Sequence, residues 1–234
     1  MTLTDQIALF SVADGAGLAF FVASWVAVGI WIERDSPKNR SVSMLMAEHR
    51  REWMRQMLQR DVRIFDAQIA ASLRQGTSFL ASTSLLAIGG VVALMGSPAP
   101  IAEAAEAVGR AAPIFVWQVK LVLVALILTS SFLRFVWSNR LFGYTSVLMG
   151  AVPSDPTTET AQIRADQAAE MGVRAAFNFN RGLRSMYFAI GALAWLAGVW
   201  ALVGATCLVL WVIWQREFLS IPHRILTGKH HRGS

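Results

Sequence analysis

Long stretches of the chain contain no charged residue, and they determine the predicted fold. The four main stretches cover residues 15–32, 75–102, 121–133 and 185–215, and the third extends back to residue 111 with Lys120 as its one interruption. A helix needs about 20 apolar residues to cross the hydrocarbon layer of a bilayer, which is about 30 Å thick. The pattern therefore predicts an all-α, polytopic membrane helix bundle with four long apolar segments, in a single membrane domain covering residues 1–234.

The last apolar segment is long enough to be interpreted in two ways. Its 31 residues would extend roughly 46 Å as one helix, which is long for a single crossing. A hairpin near Gly198 would divide it into two spans. The five predicted spans are then residues 10–32, 76–96, 113–136, 178–197 and 200–218, and the alternative for the last two is one tilted helix over residues 182–215.

Positive charge is concentrated in alternate connections between the apolar segments. Residues 33–74 carry nine Lys and Arg, and residues 134–184 carry six, whereas residues 97–112 carry one Arg beside two Glu. Cytoplasmic loops are enriched in Lys and Arg, so we expect the N-terminus outside and the long loops and the basic tail, residues 219–234, inside a bacterial inner membrane. Because anionic headgroups at that face account for the net charge of +6, we expect no nucleic-acid partner.

The two long connections differ in their pattern. Residues 41–75 contain no Pro or Gly, and apolar residues at positions 54, 58, 62, 65, 69 and 73 form one stripe of an amphipathic cytoplasmic helix. This segment either lies on the inner leaflet or packs beneath the bundle as an extension of the second span. The cytoplasmic loop 138–177 is rich in turn-forming residues at positions 150–156, and we expect a short helix from about Glu159, capped by Thr157 or Thr158.

A few polar residues in the apolar segments form a candidate polar pathway, composed of Asp14, Lys120, Ser78, Ser82 and Thr83. Asp14 and Lys120 are expected on the same, outer side of the membrane. Either they form a structural ion pair or Lys120 snorkels to the interface, or they take part in the passage of a solute or proton. The hydroxyl groups either hydrogen-bond within and between helices or line a hydrated vestibule.

Small residues recur every four positions along the first span, at Gly15, Ala19, Ala23 and Ala27. Small residues at this spacing allow close approach of helix backbones in lipid. They predict either packing within the chain or contact between copies of the chain, so a homo-oligomer is one of the two alternatives.

The sequence shows no pattern typical of a catalytic site. The one cysteine, Cys207, lies within an apolar segment, and there is no phosphate-binding glycine loop, metal-binding His pair or Gly-x-Ser-x-Gly motif. We therefore expect no enzymatic activity, no cofactor and no metal.

Several blocks together resemble the domain of unknown function 599 family, which comprises uncharacterised multi-pass membrane proteins of bacteria and plants. The most recognisable block reads LRQGTSFLAST at residues 73–83, preceded by DAQI at residues 66–69. The others are the basic region 39–53, WSNR at residues 137–140 followed by Tyr144, and RGLRSMYFA at residues 181–189 followed by Leu193 and Trp195. The resemblance covers about residues 10–218 and implies a membrane bundle, but it implies no activity and no functional residues.

Most of these blocks border the predicted cytoplasmic ends of spans, where basic and amide side chains can converge. The candidate anion or headgroup cluster consists of Arg74, Arg140, Asn178, Arg181 and Arg184. We interpret the chain as an integral membrane protein, with a small oligomeric transport or channel-like role for a small or anionic solute as the first hypothesis. The alternative is a membrane-anchored binding or assembly module whose cytoplasmic helices dock a partner or anionic lipid.

Overall fold

The structure, a computed structural model, describes residues 9–34, 40–97, 103 and 113–228, and it is all-α across these ranges. This confirms the predicted fold class. Seven α-helices are described with two short helical turns, Ala194–Ala197 (3-10) and Gln215–Leu219 (π). The helices are α1 Val12–Ile32, α2 Val42–Leu58, α3 Ile64–Gly96, α4 Ile114–Gly150, α5 Glu159–Leu193, α6 Val199–Trp214 and α7 Ile221–Leu226.

Within the described ranges, four helical segments are long and apolar enough to cross a membrane: Val12–Ile32, Ile64–Gly96, Ile114–Gly150 and Val199–Leu226. Only 17 to 39% of the residues in their most apolar windows are buried, so most of these side chains point outward. Leu86, Leu126 and Trp200, for example, are 77, 61 and 80% exposed. Such an extensive apolar exterior is costly in water and favourable in lipid, and it indicates a membrane protein.

Three of the helices are longer than a bilayer requires. The 37 residues of α4 extend about 55 Å, against a hydrocarbon thickness of about 30 Å. The interior is accordingly divided into separate clusters. One, among the apolar segments, includes Phe21, Leu121, Phe188 and Leu202, and a second unites α2 and the start of α5 through residues such as Met57.

Residues 41–75 form two helices rather than the one continuous helix that their composition favours. Helix α2 ends at Leu58 and α3 begins at Ile64. The predicted stripe is therefore only half correct: Met54 is buried, but Val62 and Phe65 are 66 and 62% exposed. Helix α3 extends the second apolar segment, which is one of the two predicted alternatives.

A buried carboxylate explains why the helical phase changes at this break. Asp66 is fully buried, and it accepts hydrogen bonds from Trp53 Nε1, at 2.6 Å, and from the guanidinium of Arg60. Burying a carboxylate requires such partners. The inward face of α3 therefore begins at Asp66 and Ala70 rather than at Phe65.

The helix that follows the connection between α4 and α5 begins at the predicted cap, but it is longer than predicted. Thr158 Oγ1 accepts a hydrogen bond from Ala161 N at 3.3 Å, which confirms a capping threonine before Glu159. The helix that follows is 35 residues long and continues into the next apolar segment. The second half of the predicted loop 138–177 and the first part of the fourth apolar segment therefore form one continuous helix.

The backbone turns at Gly198, where φ is 115° and ψ is 170°. On either side of this residue, Gly191 of α5 lies against Val209 of α6, so the two helices form an antiparallel hairpin. Helix α6 also approaches α1 closely, because a Cβ atom at Gly17 would lie 2.4 Å from Val199 Cγ2. That both arms of this hairpin cross the bilayer stays a prediction.

The small-residue stripe of α1 faces away from the chain. Gly15, Ala19, Ala23 and Ala27 are all exposed, and α1 packs inward through another face that includes Phe21. The stripe is therefore not used for packing among the described helices. Contact between copies stays a prediction.

Candidate functional site

The two ends of the bundle differ in chemistry, and α1 connects them. At its first turn, Asp14 accepts a hydrogen bond from Trp195 Nε1 at 3.0 Å. Just beyond its last turn, Glu33 is bound by Arg181 and Arg184 of α5. We call the end that contains Glu33 the basic end.

Glu33, Arg134, Arg181 and Arg184 form what we call the guanidinium cluster. Arg184 Nη2 donates to Glu33 Oε1 at 2.6 Å, and Arg181 Nε lies 2.8 and 3.0 Å from the two carboxylate oxygens. Arg184 is buried, with its side chain 7% exposed, whereas Arg181 is exposed. One carboxylate therefore joins two guanidinium groups that lie one turn apart on α5.

Arg134 brings a third positive charge to this cluster from α4. It lies close enough to Arg181, Arg184 and Glu33 for their charges to interact, and its Nε donates to Ser130 Oγ at 3.3 Å. The cluster therefore holds three cations around Glu33, and Glu217 lies close enough to Arg184 for their charges to interact as well. Like charges held together in a half-buried position favour the binding of an anion.

A cavity of about 260 Å³ adjoins the cluster between α1, α4 and α5. Val26 and Ile30 line it from α1, and both are largely exposed on the apolar exterior of the bundle. Trp25 Nε1 donates to Ser185 Oγ at 3.2 Å and so connects α1 to α5 inside this cavity. The cavity is thus polar at the arginines and apolar on its outward side.

The charge state of Glu33 follows from its surroundings. Desolvation by burial would raise the pKa of Glu33, but the hydrogen bonds and positive charges of Arg181 and Arg184 outweigh this effect and hold the pKa below its ordinary value. The carboxylate therefore stays ionised and fixes both arginines in place. Because the three arginines outnumber the carboxylates that act on them, Glu33 and Glu217, the cluster keeps an excess of positive charge.

The structure brings together two of the five residues predicted for the anion or headgroup cluster. Arg181 and Arg184 share Glu33, as described. Arg140 instead donates to its neighbour Tyr144 at 2.6 Å, and Asn178 donates to a carbonyl of its own helix at 2.9 Å. Arg74 lines another cavity, of about 380 Å³, between α3 and α4.

Sequence reasoning did not single out Glu33 or Arg134 as site residues. Both are the first charged residue after an apolar segment, so both appeared only as boundary residues of the loops. Their position next to an apolar segment was the available signal in the sequence. This signal could have placed Glu33 and Arg134 at the same depth in the bundle, but it could not have shown that they lie next to each other.

The candidate polar pathway is divided between two parts of the bundle. Asp14 and Lys120 lie close enough for their charges to interact, and Lys120 Nζ lies 5.2 and 5.7 Å from the ring centres of Trp117 and Trp195. Lys120 is only 9% exposed. It is thus enclosed by aromatic rings near Asp14.

The three predicted hydroxyl groups lie near the middle of α3. Ser78 Oγ accepts a hydrogen bond from Asn139 Nδ2 of α4 at 3.0 Å, Thr83 Oγ1 donates to a carbonyl of its own helix at 2.9 Å, and Ser82 is exposed on the outer surface. Lys120 belongs to α4 and lies beside the C-terminal end of α3, where Gln118 of α4 donates to Met95 O of α3 at 3.3 Å. The predicted pathway residues therefore form two separate groups.

Comparison with known proteins identifies the family. The family model described as "Protein of unknown function, DUF599" matches residues 16–221, which include the whole guanidinium cluster. The chain belongs to this family. Neither the search of curated proteins nor the search of solved structures found a match. Because the DUF599 description names no activity, the function of this member has to be argued from its site.

Proposed function

We propose that this protein is an integral membrane binding protein whose guanidinium cluster holds the phosphate of an anionic lipid headgroup. The observation that carries the proposal is the excess of positive charge in a cavity that opens onto the apolar exterior. A lipid supplies both complementary parts. Its phosphate would bind at the arginines, and an acyl chain would follow the apolar side chains of α1.

Arginine is well suited to this contact. Its planar guanidinium donates two parallel hydrogen bonds to a phosphate and is less strongly hydrated than an ammonium group. Arg181 and Arg184 direct donors to Glu33, whereas the only hydrogen bond described for Arg134 goes to the Ser130 hydroxyl at 3.3 Å. Arg134 is therefore our choice for the principal phosphate ligand.

The proposed membrane orientation fits this ligand. We propose a multi-pass protein of a bacterial inner membrane, with the N-terminus outside and the basic end at the cytoplasmic face, because Lys and Arg accumulate in cytoplasmic loops. Anionic headgroups give that face a negative surface potential. The cluster would thus meet its ligand at the level where such lipids are concentrated.

Lipid exchange into the purified protein would test the proposal. In nanodiscs that contain phosphatidylglycerol and phosphatidylcholine, we expect the protein to retain phosphatidylglycerol, as counted by native mass spectrometry. Arg134→Gln should weaken this binding about tenfold or more, because it removes charge-assisted hydrogen bonds and keeps the Glu33 pairs intact.

Arg174→Gln is the matched control, since Arg174 is exposed on α5 outside the cluster and its loss changes the net charge equally. The control should retain lipid as the wild type does. Equal retention of the two lipids by the wild type, or equal losses in both variants, would reject the proposed site. Circular dichroism of each variant reports whether the helices are intact.

A second candidate function is transport of a small or anionic solute, which the buried Lys120 beside Asp14 favours. Between the two ends, the described interior of one chain is occupied by apolar residues such as Val124 and Phe188. A transport path would thus require several copies around an axis, with the outward stripe of α1 as a contact. Unchanged ion flux in proteoliposomes after both Lys120→Ala and Arg140→Ala would remove the support for transport.

Docking of a protein partner on the amphipathic segment has less support than lipid binding. The apolar face of α2 is already used inside the molecule, because Met54, Met57 and Leu58 are buried against α5. We therefore assign the binding role to the lipid-facing cluster rather than to this face.

A further inference from the structure

A second cavity, separate from the guanidinium cluster, lies between α2, α3, α5 and the π turn after α6. Its volume is about 420 Å³, within the range of small-molecule pockets, and none of its lining residues also lines the cavity at the cluster. Apolar side chains cover most of its wall, including Val42, Met46, Leu73, Phe142, Val173 and Phe177. We call it the α2 cavity.

The polar groups at one side of the α2 cavity are already paired with each other. Ser43 donates to both carboxylate oxygens of Glu217, from its backbone N at 3.0 Å and from Oγ at 2.8 Å. Asn180 Nδ2 donates to Ser43 Oγ at 3.1 Å. Arg216 donates to Tyr187 at 2.6 Å and lies 5.5 Å from its ring centre. This network holds the end of α6 against α2.

Arg50 also lines this cavity, and it differs from the paired polar groups on the other side. Its Nε atom is buried without a hydrogen-bond partner in the described part of the chain, and desolvation by burial lowers the pKa of its guanidinium. Other arginines of α2 do have carboxylate partners: Arg51 pairs with Glu170, and Arg55 lies 3.8 Å from Glu52. No carboxylate pairs with Arg50 among the described residues, and a desolvated cation without a counterion costs free energy, so this position favours an anion that arrives from outside the chain.

We propose that the α2 cavity binds an organic carboxylate with an apolar body, whose carboxylate pairs with the guanidinium of Arg50. A carboxylate carries one charge and can accept two parallel hydrogen bonds from a single guanidinium, and Arg50 brings one guanidinium to the wall of this cavity. Its apolar body would replace water against the phenylalanine and aliphatic side chains of the wall.

Binding of naphthalene-2-carboxylate to the protein in phosphatidylcholine nanodiscs tests this proposal. We expect saturable binding by calorimetry and an increase in melting temperature. Naphthalene-2-methanol has the same ring system without the charge, and it should bind about tenfold more weakly or worse. Naphthyl phosphate should not bind more tightly than the carboxylate, and tighter binding of the phosphate would overturn the assigned ligand class.

Variants then locate the binding. Arg50→Gln should lose the preference for the carboxylate over the alcohol, and Arg50→Lys should keep part of it. Arg55→Gln, with the same charge change on the exposed side of α2, should bind as the wild type does. Unchanged preference in Arg50→Gln would overturn the proposal.

A steric variant keeps the proposal testable if Arg50→Gln does not fold. Ala176 lines the α2 cavity, so Ala176→Leu should fill part of it and reduce binding of both naphthalene probes while Arg50 stays in place. Undiminished binding in a folded Ala176→Leu protein would also overturn the site. Arg134→Gln should leave carboxylate binding unchanged, which separates this result from the lipid site.

Discussion

Buried polar side chains in this protein have few but specific partners. Asp66 accepts from Trp53, Ser138 Oγ donates to Ala175 O at 2.7 Å, and Ser131 Oγ donates to Gly182 O at 2.8 Å. In an apolar interior each lost hydrogen bond leaves its partner unsatisfied, which costs about 1–3 kcal/mol. Individual contacts of this kind therefore define how the helices meet.

Gly182 is a residue whose lack of a side chain is required by packing. A Cβ atom there would lie 2.7 Å from Cε1 of Phe135, and both residues are buried. We predict that Gly182→Ala lowers the free energy of unfolding by about 1–3 kcal/mol through overpacking between α4 and α5. Thermal unfolding in detergent measures this loss.

Gly89→Ala is the control for this prediction, because a Cβ atom at Gly89 has no neighbour within 4 Å. It should be neutral or slightly stabilising, since alanine favours helix more than glycine does. Adding Phe135→Leu to Gly182→Ala should recover part of the loss. A melting temperature unaffected by Gly182→Ala would contradict the close approach.

At the scale of elements, the hairpin between α5 and α6 depends on one backbone conformation. Gly198 combines φ 115° with ψ 170°, a region that is essentially restricted to glycine. We predict that Gly198→Ala destabilises the protein by about 1–3 kcal/mol, whereas Gly204→Ala, in open space on α6, has little effect. Equal melting temperatures for these two variants would show that the turn is not strained by a side chain.

The connection between α1 and α5 should depend on pH through Glu33. Its pKa is held below the ordinary value of about 4.5, so its stabilisation is fully present above that pH and is lost as the pH falls through the lower native pKa. We predict that Glu33→Gln unfolds at a lower temperature than the wild type at neutral pH. The difference should narrow as the pH falls below about 4.5.

Glu48→Gln serves as the control for this pH dependence, because the Glu48 side chain is 52% exposed and pairs with Arg40 at the surface. It should cost well below 1 kcal/mol at neutral pH, as exposed ion pairs usually do. A Glu33→Gln deficit that stays constant from neutral to acidic pH would contradict an ionised, paired carboxylate.

At the scale of the whole molecule, the hairpin determines on which side each terminus lies. Five crossings put the termini on opposite sides of the membrane, and four put them on the same side. We predict a cytoplasmic C-terminus and an external N-terminus, to be measured with reporters fused at each end. A periplasmic signal from a reporter after Ser234 would reject the five-span orientation and favour a single last crossing.

The extent of sequence-based prediction differs between the fold and the site. Apolar segment length predicted the helical bundle, and Thr158 was a recognisable cap, because both depend on neighbouring residues. The break after Leu58 was not predicted, since it depends on the partners of buried Asp66. Of the predicted anion cluster, only Arg181 and Arg184 meet, because a shared membrane level does not specify which face of a helix a side chain occupies.

The sequence by itself determined the class of this protein and its family. Long apolar segments separated by basic connections are local properties of the chain, and lipid is the solvent that such segments require. Only the tertiary structure decided that Glu33 pairs with Arg181 and Arg184, and that Arg50 has a buried Nε beside a cavity. These relations depend on the rotation and depth of packed helices, which bring together side chains far apart in the sequence, such as Glu33 and Arg184, 151 positions apart.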